Sequence, residues 1–556
     1  MSYTIGLDYG TNSVRSLIVD VATGRELASS VYEYPTGSAG IILDPADHNV
    51  ARQNPADYIE GVVSTVKCAV EQAMKADSKF DASKIVGIGI DTTGSTPLPI
   101  DKEGKPLSEN PAFSDNINAC AWLWKDHTSY REAAEITELA SEIRPQYLAK
   151  CGGTYSSEWF FSKILHCLRI DSEVFDAAYT WVEHADYMTA LLTGNTAPEK
   201  IKRCRCAAGH KAMFNDQWGG YPDAEFLGKL DPKMAKLRET LSDQTYAIDT
   251  AAGNLTSDWA QKLGLKEGIA VAMGAFDAHL GAVGSGIKEG TLVKIMGTST
   301  CDMAVCPNTE KIADIPGICG IVDGSVLPGC FGFEAGQSAV GDIFNWYVNY
   351  IQPCGSEGTH VNLTEKAAKL KPGQSGLLAL DWNNGNRTVL VDQRLTGLLV
   401  GQTLHTKPEE IYRALVEATA FGALTIINRM AEYGVKIDTV INCGGIAEKN
   451  SMVMQIYADI TGREMKISRS AQTCALGSAI AAAVVAGEYK DFGSAQAAMA
   501  GVKDIVYKPI PENVAVYAKL YKLYKQLHDA FGITESTANI GNVMKDLLAI
   551  KEEANG

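Results

Sequence analysis

The sequence lacks the features that would place the chain in a membrane or on nucleic acid. It has no run of about 18 uncharged apolar residues, and the apolar stretch 475–485 is too short to span a bilayer. Its 50 basic residues are outnumbered by 66 acidic ones, and the net charge of −16 argues against nucleic acid or an anionic membrane as the main partner. No basic leader precedes the first apolar strand, so we expect a cytoplasmic protein.

Common nucleotide-binding motifs are also missing. Neither Gly104-Lys105 nor Gly228-Lys229 is followed by Ser or Thr, which excludes a P-loop. The Gly-x-Gly pairs at 87–89 and 284–286 lack the third glycine of a dinucleotide fingerprint, and protein-kinase signatures are absent. If the chain binds ATP, it must hold the phosphates in another way.

The cysteines do not indicate a disulfide framework. Thirteen are scattered along the chain, and an odd number in this arrangement is typical of a reducing compartment. Cys204 and Cys206 with His210 come nearest to a metal cluster, but structural zinc usually uses a wider spacing and a second cysteine pair. We therefore expect small buried thiols at these two positions.

What the chain does contain is a mixed α/β pattern that occurs twice. A length of 556 residues favours two or more domains. The first half reads as strands at 5–8, 14–20 and 26–34, a helix starting at Asn54-Pro55 and a strand at 84–90. The second half reads as strands at 291–295, 301–306, 439–443 and 465–468, with helices starting at Pro408, after an N-cap at Ser451, and over 474–486.

A cluster of glycines between residues 281 and 290 predicts the boundary between the two halves of the chain. We interpret it as a glycine-rich hinge and expect domains over 1–284 and 285–556. Near the C-terminus, Tyr517, Leu520, Tyr524 and Leu527 share one helical face. That helix is expected to pack on the second domain, and a homodimer contact is the alternative.

Each half also carries a strand that runs into a Gly-Thr turn. Residues 8–13 read Asp-Tyr-Gly-Thr-Asn-Ser and residues 296–300 read Met-Gly-Thr-Ser-Thr. Such turns let backbone N–H groups and hydroxyls approach a phosphate without a Cβ in the way. Two of them, one in each half, suggest similar domains that hold one nucleotide between them.

These turns, together with Cys443-Gly444-Gly445, occur in the order seen in the actin-like and sugar-kinase ATPase superfamily. Within it the chain resembles the FGGY carbohydrate kinases over nearly its full length. Residues 397–401 and 410–417 fit the second family signature, although Gln402 departs from it, and the first signature keeps Lys163 but has Leu165 where Trp is common. The resemblance implies two ribonuclease-H-like, actin-like ATPase domains flanking a central cleft.

Finer matches at 91–97, 124–128, 209–212 and 332–337 resemble one branch of this family. That resemblance implies transfer of a phosphoryl group from ATP, with Mg²⁺, to the terminal (5-) hydroxyl of L-ribulose in L-arabinose catabolism. Two alternatives stay open: a kinase for another pentulose or pentitol, and an actin-like ATPase whose nucleotide state drives assembly. The second alternative would not need the segments on the sugar side.

The resemblance also assigns the site residues. Asp277 matches the catalytic aspartate that accepts the hydroxyl proton, although its position alone would equally suit a helix N-cap. Asp8 and Asp277 are expected near the metal, with sugar held mainly by the first domain and adenine mainly by the second. The expected nucleotide contacts are Gly10, Thr11, Asn12, Arg15, Gly297, Thr298, Ser299, Gly444, Gly445 and Asn450.

The expected sugar contacts are Ser95, Thr96, Trp124, Lys125, Asp126, Lys211, Asp277 and Glu334, with Gln337 as a weaker candidate. Some of these residues have an alternative interpretation. Arg15 could be a solvated hairpin charge, Trp124 could belong to the core, and Lys211 and Glu334 could form surface ion pairs. His279 is expected to support the site, since a kinase needs one proton acceptor.

Overall fold

The computed structural model describes residues 1–355 and 358–556 as a mixed α/β protein. The strands are β1 (Tyr3–Tyr9), β2 (Ser13–Asp20), β3 (Glu26–Glu33), β4 (Ile42–Asp44), β5 (Asp47–Gln53), β6 (Ile85–Thr92), β7 (Pro97–Ile100), β8 (Ala121–Trp122), β9 (Thr180–Glu183), β10 (Arg203–Cys204), β11 (Thr245–Tyr246), β12 (Ala251–Asn254), β13 (Ala270–Ala272), β14 (Ala275–Phe276), β15 (Gly290–Met296), β16 (Thr300–Pro307), β17 (Gly320–Asp323), β18 (Cys330–Ala335), β19 (Leu378–Leu380), β20 (Leu398–Val400), β21 (Ile437–Cys443), β22 (Glu464–Ser468) and β23 (Val502–Tyr507).

The first α-helix begins directly after β5, and the other helices lie between and after the strands that follow. They are α1 (Pro55–Ala76), α2 (Tyr130–Ile143), α3 (Gln146–Ala149), α4 (Phe160–Ile170), α5 (Ser172–Ala177), α6 (His184–Thr193), α7 (Arg205–Lys211), α8 (Ala224–Leu230), α9 (Pro232–Arg238), α10 (Ser257–Leu263), α11 (Asp277–Gly284), α12 (Gly341–Asn345), α13 (His360–Ala367), α14 (Pro408–Glu432), α15 (Gly445–Lys449), α16 (Ser451–Thr461), α17 (Thr473–Val485), α18 (Phe492–Met499), α19 (Pro511–Gly532) and α20 (Val543–Asn555). In the part of the chain that the structure describes, none of them is long and apolar enough to cross a bilayer.

Two large sheets share one core topology. In the first, β3, β2 and β1 form an antiparallel meander, and β6 and β13 continue it in parallel with β1. In the second, β18, β16 and β15 form the meander, and β21 and β22 continue it in parallel with β15. We call the parts built on β1–β14 and on β15–β23 the first lobe and the second lobe. The α/β class and the repeat predicted from the sequence are confirmed.

Local capping signals define the predicted helix starts. The Asn54 side chain accepts a hydrogen bond from the Ala56 N–H, and Pro55 opens α1, as the sequence predicts. The prediction of Ser451 as an N-cap is wrong by one residue. The Asn450 side chain caps α16 by accepting from the Val453 N–H, because an amide oxygen one residue earlier already satisfies that donor.

Helix α17 lies directly on the first sheet. A Cβ added to Gly6 would come within 1.8 Å of the Ala475 carbonyl oxygen, and one added to Gly89 within 1.9 Å of the Ser478 carbonyl oxygen. The missing side chains therefore let the helix backbone touch the strands. This confirms the prediction that the small-residue helix packs closely against a neighbour.

The glycine-rich segment is not simply a hinge. Gly284 packs so closely on α17 that an added Cβ would meet the Thr473 carbonyl oxygen at 2.0 Å, and a Cβ added to Gly281 would lie 3.1 Å from the Cys474 Sγ. At these two residues the absent Cβ permits helix packing, and the hinge stays a prediction. Gly286 and Gly290 have φ values of +82° and +77°, which glycine adopts without strain.

The C-terminal helix α19 packs on the second lobe, as predicted. The Tyr517 hydroxyl donates to Glu417 at 2.8 Å and accepts from Arg413 at 2.9 Å. The Tyr524 hydroxyl donates to Asp381 at 3.1 Å. These buried polar contacts hold the helix to α14 and to the end of β19.

Candidate active site

Three carboxylates meet at one edge of the first sheet. Asp8 and Asp91 are register partners on the parallel strands β1 and β6. Strand β14 pairs with the end of β6, and Asp277 follows it as the first residue of α11. Because the carboxyl ends of parallel strands share an edge, side chains from distant parts of the chain converge there.

Burial and mutual repulsion raise the pKa values of this trio. The pKa of Asp277 is raised to about 7, first by burial and then by the negative charge of Asp8. Burial and Asp8 raise the pKa of Asp91 well above its usual range, and burial raises that of Asp8 against the opposing charge of Arg15. The Arg15 guanidinium lies 3.3 Å from Asp8 Oδ2. Arg15 is thus paired with Asp8 and is not a free hairpin charge.

The carboxylates can hold a divalent cation. Asp91 Oδ2 accepts a hydrogen bond from the Ser478 hydroxyl at 2.6 Å, and the carboxyl groups of Asp91 and Asp8 lie within hydrogen-bonding reach of each other. Buried carboxylates this close together repel one another unless a cation or a proton joins them. Carboxylate oxygens are the ligands that Mg²⁺ takes, often through water, so the residues present fit this metal.

A cavity of about 270 Å³ lies between the lobes. It brings together Asp277, Lys211, Glu334, Trp124 and the turn Gly297–Ser299 from the predicted site. The Lys211 ammonium lies 2.7 Å from Glu334 Oε1, so the pair joins α7 of the first lobe to β18 of the second. Burial alone would raise the pKa of Glu334, but the Lys211 charge holds it below its usual range. This ion pair lies in the cleft and not on the surface.

Backbone hydrogen bonds from Val340 and Gly341 support the Gly297–Ser299 turn of the second lobe. The Val340 N–H donates to the Thr298 carbonyl at 2.8 Å, and the Gly341 N–H donates to that of Gly297 at 3.1 Å. Thr298 itself is exposed to the cleft. Below the turn, the Lys294 ammonium bonds both oxygens of Asp302 at 2.9 Å.

Gln337 belongs to the same buried network. Its Oε1 accepts from the Lys294 ammonium at 3.0 Å, and its Nε2 donates to Asp381 at 2.7 Å. The side chain is therefore occupied beneath the turn. The weak assignment of Gln337 to the sugar is not supported by this placement.

The turn of the first lobe is tied to Trp124. The indole Nε1 donates to the Thr11 hydroxyl at 3.0 Å, while Trp124 also lines the cavity. Gly10 closes the turn by donating to the Ser13 carbonyl at 2.9 Å, and Asn12 Nδ2 donates to Ala39 at 2.6 Å. Trp124 is therefore a cleft residue that links one wall of the cavity to the first Gly-Thr turn.

Three expected sugar contacts lie behind the cavity wall. Ser95, Thr96 and Asp126 are fully buried. The Ser95 hydroxyl and the Thr96 N–H bond the Glu183 carboxylate, and Asp126 pairs with Arg52.

Their hydrogen-bonding groups are thus used inside the protein, and Thr93 and Gly94 line the cavity in their place. Lys125, next to Trp124, is partly exposed and makes no ion pair within residues 1–355 and 358–556.

A second glycine turn lies beside the Gly297–Ser299 turn of the second lobe. Strand β21 pairs with β15, with Cys443 opposite Ile295. Gly444 has φ +97°, and a Cβ there would lie 2.3 Å from the Met296 carbonyl oxygen, whereas Gly445 faces open space. Asn450 is engaged as the cap of α16, so the expected adenosine contact would come mainly from the backbone of the two glycines.

The sequence assigned no role to three residues at the site. Asp91 could have been found, since it ends an apolar strand in the same way as Asp8. Arg387 and Glu158 line both this cavity and an adjoining one of about 790 Å³. Arg387 donates to the Thr300 carbonyl at 2.8 Å, and its Nε is buried without a hydrogen-bond partner among the described residues. It lies in a loop with no repeating pattern, so no local signal indicated it.

The paired sheets and the cleft define an actin-like ATPase fold. Residues 3–284 match the N-terminal domain model of the FGGY family of carbohydrate kinases, and residues 292–486 match its C-terminal domain model. The chain therefore belongs to the FGGY family of carbohydrate kinases.

Curated relatives match over nearly the whole chain. A ribulokinase of Geobacillus thermodenitrificans is 43% identical over 570 residues, covering 99% of this chain and 98% of that protein. A ribulokinase of Shouchella clausii is 42% identical over 572 residues, covering 100% and 99%.

Solved structures agree on the fold. The ligand-bound xylulose kinase of Lactobacillus acidophilus superposes with a TM-score of 0.78 at 20% identity, covering 96% of this chain and 99% of that one. Plasmodium falciparum glycerol kinase with ADP gives a TM-score of 0.76 at 16% identity, covering 95% and 98%.

Proposed function

We propose that this protein transfers the γ-phosphoryl group of ATP to the 5-hydroxyl of L-ribulose, a step of L-arabinose catabolism. The observation that carries the proposal is the cleft cavity, which holds a carboxylate of raised pKa, the Lys211–Glu334 ion pair and the Gly297–Ser299 turn together. The full-length similarity to the two ribulokinases supports the choice of sugar.

In this proposal Asp277 is the general base. The Ala278 N–H bonds its Oδ1 at 2.6 Å, which leaves Oδ2 to accept the proton of the sugar hydroxyl as that oxygen attacks the γ-phosphorus. A pKa of about 7 suits proton transfer near neutral pH. Asp277 would thus act where the sugar and the phosphate turn of the second lobe meet.

The ligands divide between the lobes. Lys211 and Glu334 would bond sugar hydroxyls, and Trp124 would offer an apolar face to the C–H side of the sugar. Gly297, Thr298 and Ser299 would bond the terminal phosphates, and Gly444 and Gly445 would leave a flat slot for the adenosine. We retain residues 1–284 as the catalytic, sugar-binding domain and 285–556 as the nucleotide domain.

Asp8 and Asp277, with Asp91 behind them, would hold Mg²⁺. When bound, the ion neutralises charge on the transferring phosphoryl group. The protein's own part is to keep three carboxylates close together at one sheet edge, despite their mutual repulsion. Arg15 pairs with Asp8 and offsets part of this negative charge.

A sugar panel tests the proposal. L-ribulose, D-xylulose, D-ribulose, ribitol and L-arabinitol are each given to the wild type with ATP and Mg²⁺, and ADP release is followed by a coupled assay. We expect the highest kcat/KM for L-ribulose and little ADP release without sugar, because closure excludes water. A higher kcat/KM for another sugar, or equal ADP release without any sugar, would contradict it.

A further inference from the structure

Two histidines and a glutamate face one another beside the cavity. His210 Nδ1 lies 3.5 Å from Glu334 Oε2, and His279 Nε2 lies 3.7 Å from the same oxygen. Each of the three residues offers a ligand atom within 4.8 Å of those of the other two. These three atoms are buried and have no hydrogen-bond partner among the described residues. Such a group needs an explanation, because unsatisfied buried polar atoms are costly.

The hydrogen bond to Ser325 determines which His210 nitrogen carries the proton. The Ser325 hydroxyl donates to the Val322 carbonyl at 3.1 Å, so its oxygen accepts the Nε2–H of His210 at 2.9 Å. A neutral His210 then has a lone pair on Nδ1. That nitrogen lies 3.5 Å from Glu334 Oε2, and two acceptors so close together require a cation between them.

The Lys211 ammonium is not that cation. Lys211 supplies its ammonium to the other oxygen of Glu334, at 2.7 Å, and leaves Oε2 unpaired. The second ring, His279, is also buried and has both nitrogens unpartnered among the described residues.

We propose that His210, His279 and Glu334 bind a zinc ion at the sugar end of the cleft. Tetrahedral zinc, with bonds of about 2.0–2.1 Å, places its ligands about 3.4 Å apart. The two histidine nitrogens lie 3.5 and 3.7 Å from Glu334 Oε2 and within 4.8 Å of each other. Two imidazoles and one carboxylate, with a fourth position open, form a ligand set that zinc takes readily, whereas Mg²⁺ prefers an all-oxygen site. The bond from His210 to Ser325 is the outer contact that metal-bound histidines usually make.

The site joins the two lobes. His210 lies on α7 and His279 on α11, while Glu334 lies on β18 of the second sheet. A zinc ion here would therefore hold the lobes together at the sugar end. Because Glu334 is also a proposed sugar ligand, zinc should inhibit competitively with the sugar and not with ATP. That kinetic consequence rests on the proposed function, but the metal site does not.

Zinc binding is measured on the metal-free full-length protein. Titration of ZnCl₂ against a chromogenic chelator gives the affinity, and X-ray absorption of the 1:1 complex identifies the ligands. We expect one tight site with nitrogen and oxygen neighbours, imidazole scattering and no sulfur shell. A sulfur shell would assign the metal to the cysteines and overturn the proposal, as would the absence of a tight site. This measurement needs no variant to fold.

Matched variants give a second test. His279→Gln should weaken zinc binding by at least about 100-fold, since losing even an outer partner of a ligand costs 10–100-fold. His405→Gln, at an exposed histidine, should bind zinc as the wild type does. Circular dichroism confirms that both fold. Equal zinc affinity in the two variants would overturn the proposal, and inactivity towards L-ribulose would leave the metal titration unaffected.

Discussion

Replacing Asp277 with asparagine should slow the kinase and stabilise the fold at the same time. The amide keeps the shape of the side chain but cannot take the proton of the sugar hydroxyl. Loss of a general base costs about 10²–10⁴-fold in rate, so we expect kcat to fall by that factor. In the wild type, kcat/KM should decline as the pH falls below about 7, because protonated Asp277 cannot act as the base.

The gain in stability comes from removing a buried charge. Burial and Asp8 raise the pKa of Asp277 from 3.8 to about 7, which makes its charged form less favourable in the folded protein by about 4 kcal/mol. The side chain is partly exposed to the cleft, so we expect about 1–2 kcal/mol to be recovered in Asp277→Asn. The gain in the free energy of unfolding should reach its full value above pH 7. It should vanish as the pH falls towards 4, where folded and unfolded wild type both protonate the residue.

Urea unfolding at pH 8 and pH 5, beside the coupled ADP assay, checks both effects. Asp504→Asn is the matched control, since Asp504 is exposed and should change neither activity nor stability. A variant at position 277 with activity within threefold of the wild type would refute the base assignment. A variant less stable than the wild type at pH 8 would refute the buried-charge reasoning.

Three further outcomes follow from the same geometry. Gly445→Val should raise the KM for ATP without loss of stability, because its Cβ would enter open space beside the Gly297–Ser299 turn; an unchanged KM would count against the proposed nucleotide slot. Gly89→Ala should lower the free energy of unfolding in urea by about 3 kcal/mol, since its Cβ would lie 1.9 Å from the Ser478 carbonyl oxygen. Glu334→Gln should raise the KM for the sugar about 10–100-fold, the value of a charged hydrogen bond, and an effect on the KM for ATP alone would contradict the sugar assignment.

Local patterns predicted much of the fold. Alternating apolar residues indicate β1 and β2, and Asn54-Pro55 marks the start of α1, because caps and strand periodicity act over a few neighbouring residues. The repeat of a strand followed by a Gly-Thr turn predicted the paired lobes. The resemblance to the sugar kinases added the expectation that Asp277 lies in the cleft, and the cavity contains it.

Contacts between segments that are far apart in the sequence could not be predicted from local patterns. Gly284 suggested a hinge, because nothing in the nearby sequence shows that α17 packs against it. Ser95 was expected to touch the sugar, but its hydroxyl bonds Glu183, 88 residues away. Arg387 enters the site from a loop and bonds Thr300, 87 residues away. These residues are positioned by tertiary packing, which leaves no periodic signal.

The placement of α17 on the first sheet has a consequence for the order of folding during synthesis. Ser478 bonds Asp91 across 387 residues of chain, so β1 and β6 are complete long before the helix that covers them exists. At about 5–20 residues per second, a ribosome needs about 20–80 s to bridge that gap. During that time the glycine-lined face of the first sheet stays exposed. A nascent chain would need protection of that face until nearly the whole protein has been made.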